Sequence, residues 1–250
     1  MKQLWFPYAR IRAESKIRIV CFPYAGAGAS IYKSWTDRLG RHADVLAAQP
    51  PGREGRLREK AHAELYTYVQ DCIESLEPYL DKPILLFGHS LGALAAFEAA
   101  REMRRRSLTM PAHLIVSGSR APQTPKLTFP MHQLPDREFI EALRGLGGTP
   151  PEVLKNGELM QLFLPMLRAD FSASECYHYN SEPPLDLPIT AIGGTEDPEV
   201  SRDQLDAWAA QTTRRAEIQW IRGGHFFIHS QEPELLHIVA QTIDSVLAHK

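Results

Sequence analysis

Cysteine is scarce in this sequence of 250 residues, which contains three, Cys21, Cys72 and Cys176. Their number is odd, their positions are far apart, and no two of them have the CxxC spacing. This arrangement excludes a disulfide framework and gives no spacing typical of a zinc site. We therefore expect reduced thiols in a cytoplasmic protein, with Cys21 as a small buried hydrophobic residue of a strand.

Long hydrophobic runs and an excess of one charge are also lacking. No run approaches the roughly 18 apolar residues of a membrane span, and the N-terminal stretch lacks the apolar segment of a secretory signal. The formal net charge of −2 gives no electrostatic attraction to nucleic acid or to an acidic membrane surface. We predict a protein that binds neither. We also expect a monomer, because no self-complementary apolar surface is legible in the sequence.

What the sequence does contain is a regular alternation of short apolar runs with longer helical patterns, in an ordinary composition of 44% hydrophobic and 23% charged residues. The apolar runs predict strands over 16–22, 44–49, 83–88, 113–118, 187–194 and 217–221. The helical patterns lie over 31–39, 64–80, 91–105, 201–210 and 233–250. Runs that are apolar throughout are typical of strands buried on both faces of a parallel sheet. Their alternation with helices predicts a doubly wound α/β fold, as one domain over residues 1–250.

The segment 122–184 interrupts this alternation. It contains no convincing strand, but it has helical patterns in "PDREFIEALRGLG" and "NGELMQLFLPMLRADFSASECYHY", separated by glycine- and proline-rich breaks. A segment of this length is too long for a plain loop in a compact domain. We predict a helical insertion that lies over one end of the sheet.

The stretch "GHSLG", residues 88–92, stands between an apolar run and a helical pattern. A serine at such a junction can be a helix N-cap, because its hydroxyl accepts from the free N–H groups of the first turn. The position also suits a nucleophile, since the glycines of G-x-S-x-G permit a strained strand-to-helix turn that presents the hydroxyl. The helix N-terminus then favours developing negative charge, and the N–H of Leu91 becomes an oxyanion donor. The strand before and the helix after favour Ser90 as the nucleophile.

A nucleophilic serine needs a base, and the base needs an orienting carboxylate. In this architecture they follow in the order serine, acid, histidine, each after a later strand. Asp197, with Glu196 beside it, follows the fifth apolar run, and His225 follows the sixth. Asp197 taken alone is equally a turn or N-cap residue. The order of the three residues predicts Asp197 and His225 as the partners of Ser90.

The second oxyanion donor is expected in the loop after the first strand, which reads "FPYAGAGAS" over 22–30. Its small residues let the backbone approach a substrate, and Ala25 is the first candidate, with Gly26 next. A glycine-rich turn without a ligand is the alternative. A dinucleotide site is disfavoured, because "GAGAS" does not complete G-x-G-x-x-G.

The other histidines are interpreted as surface or packed-core residues, since they show no ligand spacing and no matching carboxylate. They are His42, His62, His89, His113, His132, His178, His229, His237 and His249. We therefore predict no metal site.

Four motifs make the chain similar to one family, the type II (external, editing) thioesterases that accompany non-ribosomal peptide and polyketide synthases. "FPYAGAGAS" resembles that family's oxyanion segment, and "QPPGREGR" over 49–56 resembles its P-G-R-x-x-R element. "LPMLRADF" over 164–171 is similar to its lid element, and "GGHFF" over 223–227 to its histidine segment. The similarity covers essentially the whole chain. Ala27, where many relatives carry glycine, is a mild departure.

The resemblance implies an α/β-hydrolase fold, a mostly parallel sheet flanked by helices, with a helical lid that forms the acyl pocket. It implies a hydrolase that removes short or aberrant acyl groups from the phosphopantetheine arm of carrier proteins, with no metal or bound cofactor. The residues that match are Ser90, Asp197 and His225 for a catalytic triad, and Ala25 and Leu91 for the oxyanion hole. Acidic carrier proteins would be the partners, which makes the arginines at 104–106 a candidate docking patch. Cations at the end of a helix that complement its dipole are the structural alternative.

Other interpretations stay open. Arg53, Glu54 and Arg56 can form a salt-bridged rim, and Asp170 can pair with Arg168 to fix the lid helix. A free-standing carboxylesterase would use the same triad on small oxygen esters. A non-catalytic carrier-binding protein on a hydrolase fold is a third class, and the complete Ser-Asp-His set argues against it.

Overall fold

The six apolar runs form six strands in the computed structural model, which describes residues 2–125 and 130–248. They are β1 (Arg18–Phe22), β2 (Asp44–Ala47), β3 (Ile84–His89), β4 (His113–Ser117), β5 (Ile189–Gly194) and β6 (Ala216–Ile221). Neighbouring strands are parallel throughout, in the order β2-β1-β3-β4-β5-β6. Every predicted strand is confirmed, with ends shifted by a residue or two.

Helices flank this sheet. In chain order, the α-helices of the described residues are α1 (Lys2–Trp5), α2 (Lys33–Arg38), α3 (Leu65–Leu76), α4 (Leu91–Arg105), α5 (Asp136–Leu146), α6 (Pro151–Lys155), α7 (Gly157–Glu175), α8 (Arg202–Asp206), α9 (Phe227–Ser230) and α10 (Glu232–Ala248). Short 3₁₀ helices lie at Ala29–Tyr32, Glu54–Arg56, Glu77–Tyr79, Met131–Gln133 and Ala207–Gln211. None of the helices within the described ranges has the length and apolarity to cross a membrane.

The sequence patterns overestimate the length of some helices and miss three. The pattern over 201–210 ends as an α-helix at Asp206, where a 3₁₀ helix follows. The pattern over 64–80 ends early, as α3, because Pro78 lacks the N–H that would continue the ladder and the chain turns into a 3₁₀ helix. The helices α1, α6 and α9 were not predicted. Each is too short, at four or five residues, to show a helical period.

Successive side chains of a strand point to opposite faces, so the strands contribute to two cores. On one face, Val20 and Phe22 of β1 pack against α3 and α4. On the other, Ile19 and Cys21 pack against α2 and α10. Every residue of β1, β2 and β3 is buried, which confirms a sheet covered on both faces. Cys21 is a fully buried free thiol, as predicted.

The predicted insertion is helical. Between β4 and β5 the chain forms α5, α6, α7 and a 3₁₀ helix. Their apolar side chains build a separate small core of Phe139, Leu143, Leu154, Met160, Leu164, Met166 and Leu167. Helix α7 also packs on α4, so the insertion rests on the helical layer of the sheet. Part of the insertion, 126–129, lies outside the described residues, and its limits and its function as a lid stay predictions.

The strand order fixes where a ligand can bind. After β1 the chain crosses to β2 on one side, and after β3 it crosses to β4 on the other side. The chain therefore leaves the carboxyl ends of β1 and β3 in opposite directions. Such a switch point opens a crevice at the carboxyl edge of a parallel sheet. The loops that follow β1, β3, β5 and β6 all start at this edge.

Candidate active site

Ser90 stands on a strained turn between β3 and α4. Its φ of 55° and ψ of −119° lie in a region that residues other than glycine rarely adopt. Both flanking glycines are required, because a Cβ at Gly88 would lie 1.9 Å from the Gly92 carbonyl oxygen and one at Gly92 would lie 2.1 Å from that of Phe22. The Ser90 side chain makes no hydrogen bond that caps α4. The N-cap alternative is therefore wrong.

The Ser90 hydroxyl bonds to an imidazole instead. Its Oγ lies 3.0 Å from His225 Nε2, and His225 Nδ1 lies 2.8 Å from Asp197 Oδ2. Because Nδ1–H donates to the carboxylate, Nε2 is left as the acceptor for the hydroxyl proton. The Asp197 side chain is fully buried, whereas 14% of the His225 side chain is exposed. The imidazole can thus meet a substrate while its carboxylate is shielded from water.

The loop that carries Asp197 and the loop that carries His225 are hydrogen-bonded to each other. Asp197 Oδ1 accepts from the amide of Glu199 at 2.8 Å, and the amide of Glu196 donates to the Gly223 carbonyl at 2.9 Å. Gly223 has a φ of 132°, which requires glycine. The exposed Glu196 carboxylate lies 3.8 Å from Arg222 and does not bond to the imidazole. Of the two adjacent acids, Asp197 is the one that the fold brings to His225.

His89, the residue before the serine, is fully buried and supports the histidine loop. Its Nε2 lies 2.9 Å from the carbonyl oxygen of His225, and its Nδ1 lies 3.0 Å from Ser117 Oγ. Burial, reinforced by the nearby His225, lowers the pKa of His89 well below its usual range. A neutral ring donates from Nε2 to the carbonyl and accepts the Ser117 hydroxyl at Nδ1. The packed-core interpretation of His89 is confirmed, but its bond to the His225 backbone was missed.

Two free amides face the same crevice. Among the hydrogen bonds of the described residues, none uses the N–H of Leu91 or of Ala25, and both residues line the cavity that contains Ser90. The amide of Gly26, the second candidate, donates to Asp170 Oδ2 at 2.7 Å. The structure therefore leaves Ala25 and Leu91 available to an oxyanion and removes Gly26.

A buried ion pair lies under the loop that carries Ala25. Arg53 and Asp170 form two hydrogen bonds, of 2.6 and 2.7 Å, with both side chains almost fully buried. Arg53 Nη1 also donates to the Ala27 carbonyl at 2.9 Å, and Asp170 holds the amide of Gly26. The pair thus joins α7 of the insertion to Gly26 and Ala27, the two residues that follow Ala25.

The expected pairing of Asp170 with Arg168 is wrong. Residues two apart on a helix do not face each other. Arg168 bonds instead to Asp136 at 2.6 Å and to the His132 carbonyl at 2.7 Å. The true partner of Asp170 is Arg53. The segments 49–56 and 164–171, which contain these two residues, each match a motif of the same family, but neither motif indicates that the segments are in contact.

The rim interpretation of Arg53, Glu54 and Arg56 also needs correction. Arg53 and Arg56 are buried, not rim residues. The Arg56 guanidinium stacks 4.9 Å from the Trp5 ring centre and pairs with Glu59. Glu54 does bond at the surface, accepting from the Ser30 hydroxyl at 2.6 Å. All three residues make structural contacts, as favoured, but Arg53 and Arg56 make theirs inside the protein and not at its rim.

The arginines at 104–106 do not form a free cationic patch. Arg104 and Arg105 bond to Glu182, at 2.7 and 2.6 Å, and Arg106 bonds to Glu102 at 2.7 Å. Each arginine of the cluster thus has a carboxylate partner, and the bonds to Glu182 tie the end of α4 to the segment before β5. The structural alternative is therefore favoured over a docking patch.

Three histidines have carboxylate partners that the sequence did not indicate. The pairs are His42 with Asp244 at 2.7 Å, His62 with Asp71 at 3.1 Å and His132 with Glu175 at 2.6 Å. The partners were missed because they lie on other elements. None of these imidazoles bonds to a serine hydroxyl among the described residues, and His249 lies outside the described ranges.

Ser90 and His225 open onto a cavity of about 370 Å³. Its walls come from the loop after β1, from α4 and from the insertion, which contributes Met131, Leu146, Phe171, Ser174 and Glu175. Apolar side chains line most of it, and Arg120 is its basic residue. A cavity of about 610 Å³ lies elsewhere, between α3, α4 and α7, but neither Ser90 nor His225 lines it. A choice by cavity volume alone would therefore select a cavity that lacks Ser90 and His225.

Known proteins provide a comparison with this geometry. A family model described as a thioesterase domain matches residues 17–245. The gramicidin S biosynthesis protein GrsT of Aneurinibacillus migulanus is 40% identical over 246 residues, which cover 98% of this chain and 96% of that protein. A protein named linear gramicidin dehydrogenase LgrE, of Brevibacillus parabrevis, is 39% identical over 246 residues, with 97% and 94% covered. The structure of the type II thioesterase BorB, from the borrelidin biosynthetic cluster, is 33% identical, with a TM-score of 0.86 and 94% and 96% covered.

The similarity extends across the sheet, the insertion and the loops that carry the site. It confirms the resemblance that the sequence motifs indicated and the α/β-hydrolase fold. The chain therefore belongs to the thioesterase family, and it is a thioester hydrolase of the type II kind.

Proposed function

We propose that this enzyme hydrolyses acyl thioesters from the phosphopantetheine arm of carrier proteins, and so removes aberrant or stalled acyl groups in non-ribosomal peptide or polyketide biosynthesis. The observation that carries the proposal is the hydrogen-bonded chain from Ser90 through His225 to Asp197 at the wall of a largely apolar cavity. The relatives support the biosynthetic setting, since GrsT is named for gramicidin S biosynthesis and BorB for the borrelidin biosynthetic cluster. The cytoplasmic location, the monomeric state and the independence of cofactors stay predictions.

The first half of the reaction forms an acyl-serine. Ser90 Oγ attacks the thioester carbonyl while His225 Nε2 takes the hydroxyl proton, and Asp197 stabilises the imidazolium that results. The N–H groups of Leu91 and Ala25 donate to the tetrahedral oxyanion. The C–S bond then breaks, and the departing sulfur takes the proton from His225. A thiol, with a pKa near 8.5, leaves readily.

The second half releases the acid. A water molecule attacks the acyl-serine carbonyl, with His225 Nε2 accepting its proton, and the same two amides hold the second oxyanion. The C–O bond to Ser90 breaks, Ser90 regains the proton, and a carboxylic acid leaves. Each proton that His225 accepts is returned within the same half-reaction, so the triad is regenerated.

Two other functions compete with this one. A carboxylesterase would use the same residues, so substrate preference decides between them. The name of LgrE contains the word dehydrogenase, which suggests an oxidoreductase that binds a dinucleotide. The loop after β1, however, lacks the complete G-x-G-x-x-G of a dinucleotide site. Its Gly26 amide is also bound to Asp170 and is not free to meet a pyrophosphate. We therefore favour a hydrolase over an oxidoreductase, and the match to a thioesterase domain favours a thioester over an oxygen ester as its substrate.

The test is a matched pair of rates. The same short acyl group is presented on a phosphopantetheinylated carrier protein and as a small soluble thioester, to wild type, Ser90→Ala and Ser34→Ala. Ser34 is a control, since it lies on α2 and bonds to Glu232, away from the cavity. We expect much faster release from the carrier, kept in Ser34→Ala, and a loss of about 10⁶ in kcat in Ser90→Ala.

Other outcomes would change the proposal. Equal rates on both substrates would leave the triad but favour a general esterase. Unchanged turnover in Ser90→Ala would overturn the mechanism. Binding of the carrier with no release from either substrate would favour a scaffold.

A further inference from the structure

Arg120 is the cation of the cavity that contains Ser90. It follows β4, and the backbone around it is fixed from both sides. The carbonyl of Ser119 accepts from Trp208 Nε1 at 2.8 Å, and the amide of Ala121 donates to the Gln204 carbonyl at 2.9 Å. Arg120 therefore lines the site from a backbone that is held on both sides, as a preorganised binding residue does.

The guanidinium has no carboxylate partner. Its Nη1 donates to the carbonyl and hydroxyl oxygens of Thr124, but Nε and Nη2 make no hydrogen bond, and no ion pair forms, among the described residues. The seven residues outside those ranges include no Asp or Glu. The buried arginines Arg53 and Arg101 differ, since each bonds to a carboxylate at 2.6 Å. Arg120 is thus a partly buried cation without a counterion.

The acids of the cavity do not neutralise it. Glu175 is engaged elsewhere, accepting from the amide of Met131 at 2.9 Å and from both the amide and the ring of His132, at 3.0 and 2.6 Å. Glu199 is exposed and forms no ion pair with Arg120 among the described residues. Partial burial lowers the pKa of Arg120, as expected of a charge removed from water without a partner.

A partly buried guanidinium without a counterion is stabilised when an oxygen anion meets its open N–H groups. Its open Nε and Nη2 form one edge of a planar fork that matches a carboxylate or a phosphate. A neutral acyl chain would leave this charge without a counterion in the cavity. A purely apolar substrate therefore does not account for the residue.

We propose that Arg120 binds an anionic oxygen group of the thioester substrate. The group is either a carboxylate on the acyl chain or the phosphate of the phosphopantetheine arm, which share this chemistry. The inference rests on the proposed function, because the substrate that it describes is a thioester.

The experiment uses four soluble thioesters. Pentanoyl and glutaryl groups, which differ by a terminal carboxylate, are each attached to pantetheine and to 4′-phosphopantetheine. Arg120→Gln should lower kcat/KM by about 10- to 100-fold on substrates with the recognised anion and leave pentanoyl-pantetheine unchanged. Arg120→Lys should restore part of the loss. Arg214→Gln, at an exposed arginine paired with Asp186, should match wild type on all four.

The pattern of losses identifies the source of the anion. A loss confined to the glutaryl pair assigns the acyl carboxylate, and a loss confined to the phosphorylated pair assigns the arm. An equal loss on all four substrates, or none on any, overturns the proposal. Failure of wild type to hydrolyse any of the four would overturn the proposed function itself, and the inference with it. Thermal unfolding checks that Arg120→Gln folds, and Arg120→Met, which also removes the charge, takes its place under the same criteria if it does not.

Discussion

Asp197 and Glu196 are adjacent carboxylates with different surroundings. The Asp197 side chain is buried and accepts the His225 Nδ1–H, whereas Glu196 is exposed. We expect Asp197→Asn to keep the fold and to lower kcat about 10⁴-fold, because the amide no longer holds the imidazole in the tautomer that accepts from Ser90. Glu196→Gln should keep the wild-type rate. Turnover of a soluble thioester and thermal unfolding measure both, and a normal rate in Asp197→Asn would move the acid to Glu196 or elsewhere.

His89 is a positioning residue that acts through the backbone of His225. His89→Leu leaves the Ser117 hydroxyl and the His225 carbonyl without their partner, and each unpaired buried group costs about 1–3 kcal/mol of unfolding free energy. We expect kcat to fall about tenfold as well, since the imidazole is less well held against Ser90.

A conservative variant separates positioning from packing. The His89→Gln amide can still donate to the His225 carbonyl, so it should recover part of kcat as well as part of the stability. Urea unfolding and turnover measure both quantities. If His89→Leu is destabilised but turns over at the wild-type rate, His89 serves the core alone.

Asp170 of helix α7 is hydrogen-bonded to Gly26, in the loop after β1 that carries Ala25. The contact therefore joins two elements. Asp170→Asn leaves Arg53 as an uncompensated buried charge, which should cost about 3–5 kcal/mol of unfolding free energy. It also weakens the bond to the Gly26 amide. We therefore expect kcat to fall, because the neighbouring Ala25 amide is less well placed for the oxyanion.

A double variant distinguishes stability from positioning. Replacing both partners, as Arg53→Met with Asp170→Leu, removes the buried charge and should recover most of the unfolding free energy lost in Asp170→Asn. The Gly26 amide still lacks its acceptor, so kcat should stay low. Urea unfolding and turnover of one soluble thioester test the pair. Recovery of both quantities together would mean that the ion pair contributes to stability only.

The elements of the sheet were predictable because their signals are local. Unbroken apolar runs identify β1 and β3, and the glycines around Ser90 identify the turn between β3 and α4. Once the parallel order is known, the three loops with Ser90, Asp197 and His225 must share one edge of the sheet. The structure brings these three side chains within hydrogen-bond distance.

The contacts that were missed are long-range. Arg53 and Asp170 are 117 residues apart, and nothing in the local pattern of either segment specifies the other. The bond from His89 to the His225 backbone spans 136 residues. The unpaired state of Arg120 is visible only when every nearby carboxylate has been placed. Sequence patterns determine which elements form, and packing determines which polar groups remain free.

The fold as a whole carries imidazoles that burial keeps neutral, and this sets its response to acid. His113, at the start of β4, lies at the amino edge of the sheet, opposite the crevice, and shares a hydrogen bond of 2.9 Å with Thr190. Burial lowers the pKa of His113 from 6.5 to about 4. Between these values the unfolded chain binds a proton that the folded chain does not. Stability is therefore fully present above about pH 6.5 and is lost as the pH falls towards about 4.

His113→Gln removes this linkage without reaching the active site. The wild-type unfolding free energy should fall relative to the variant by about 2–3 kcal/mol between about pH 7.5 and about pH 4.5, at about 1.4 kcal/mol for each pH unit below 6.5. Urea unfolding at several pH values measures the difference, in which contributions common to both proteins cancel. His237→Gln, at an exposed histidine of α10, is the control and should run parallel to wild type. Parallel curves for His113→Gln as well would mean that His113 becomes protonated without cost in the folded state.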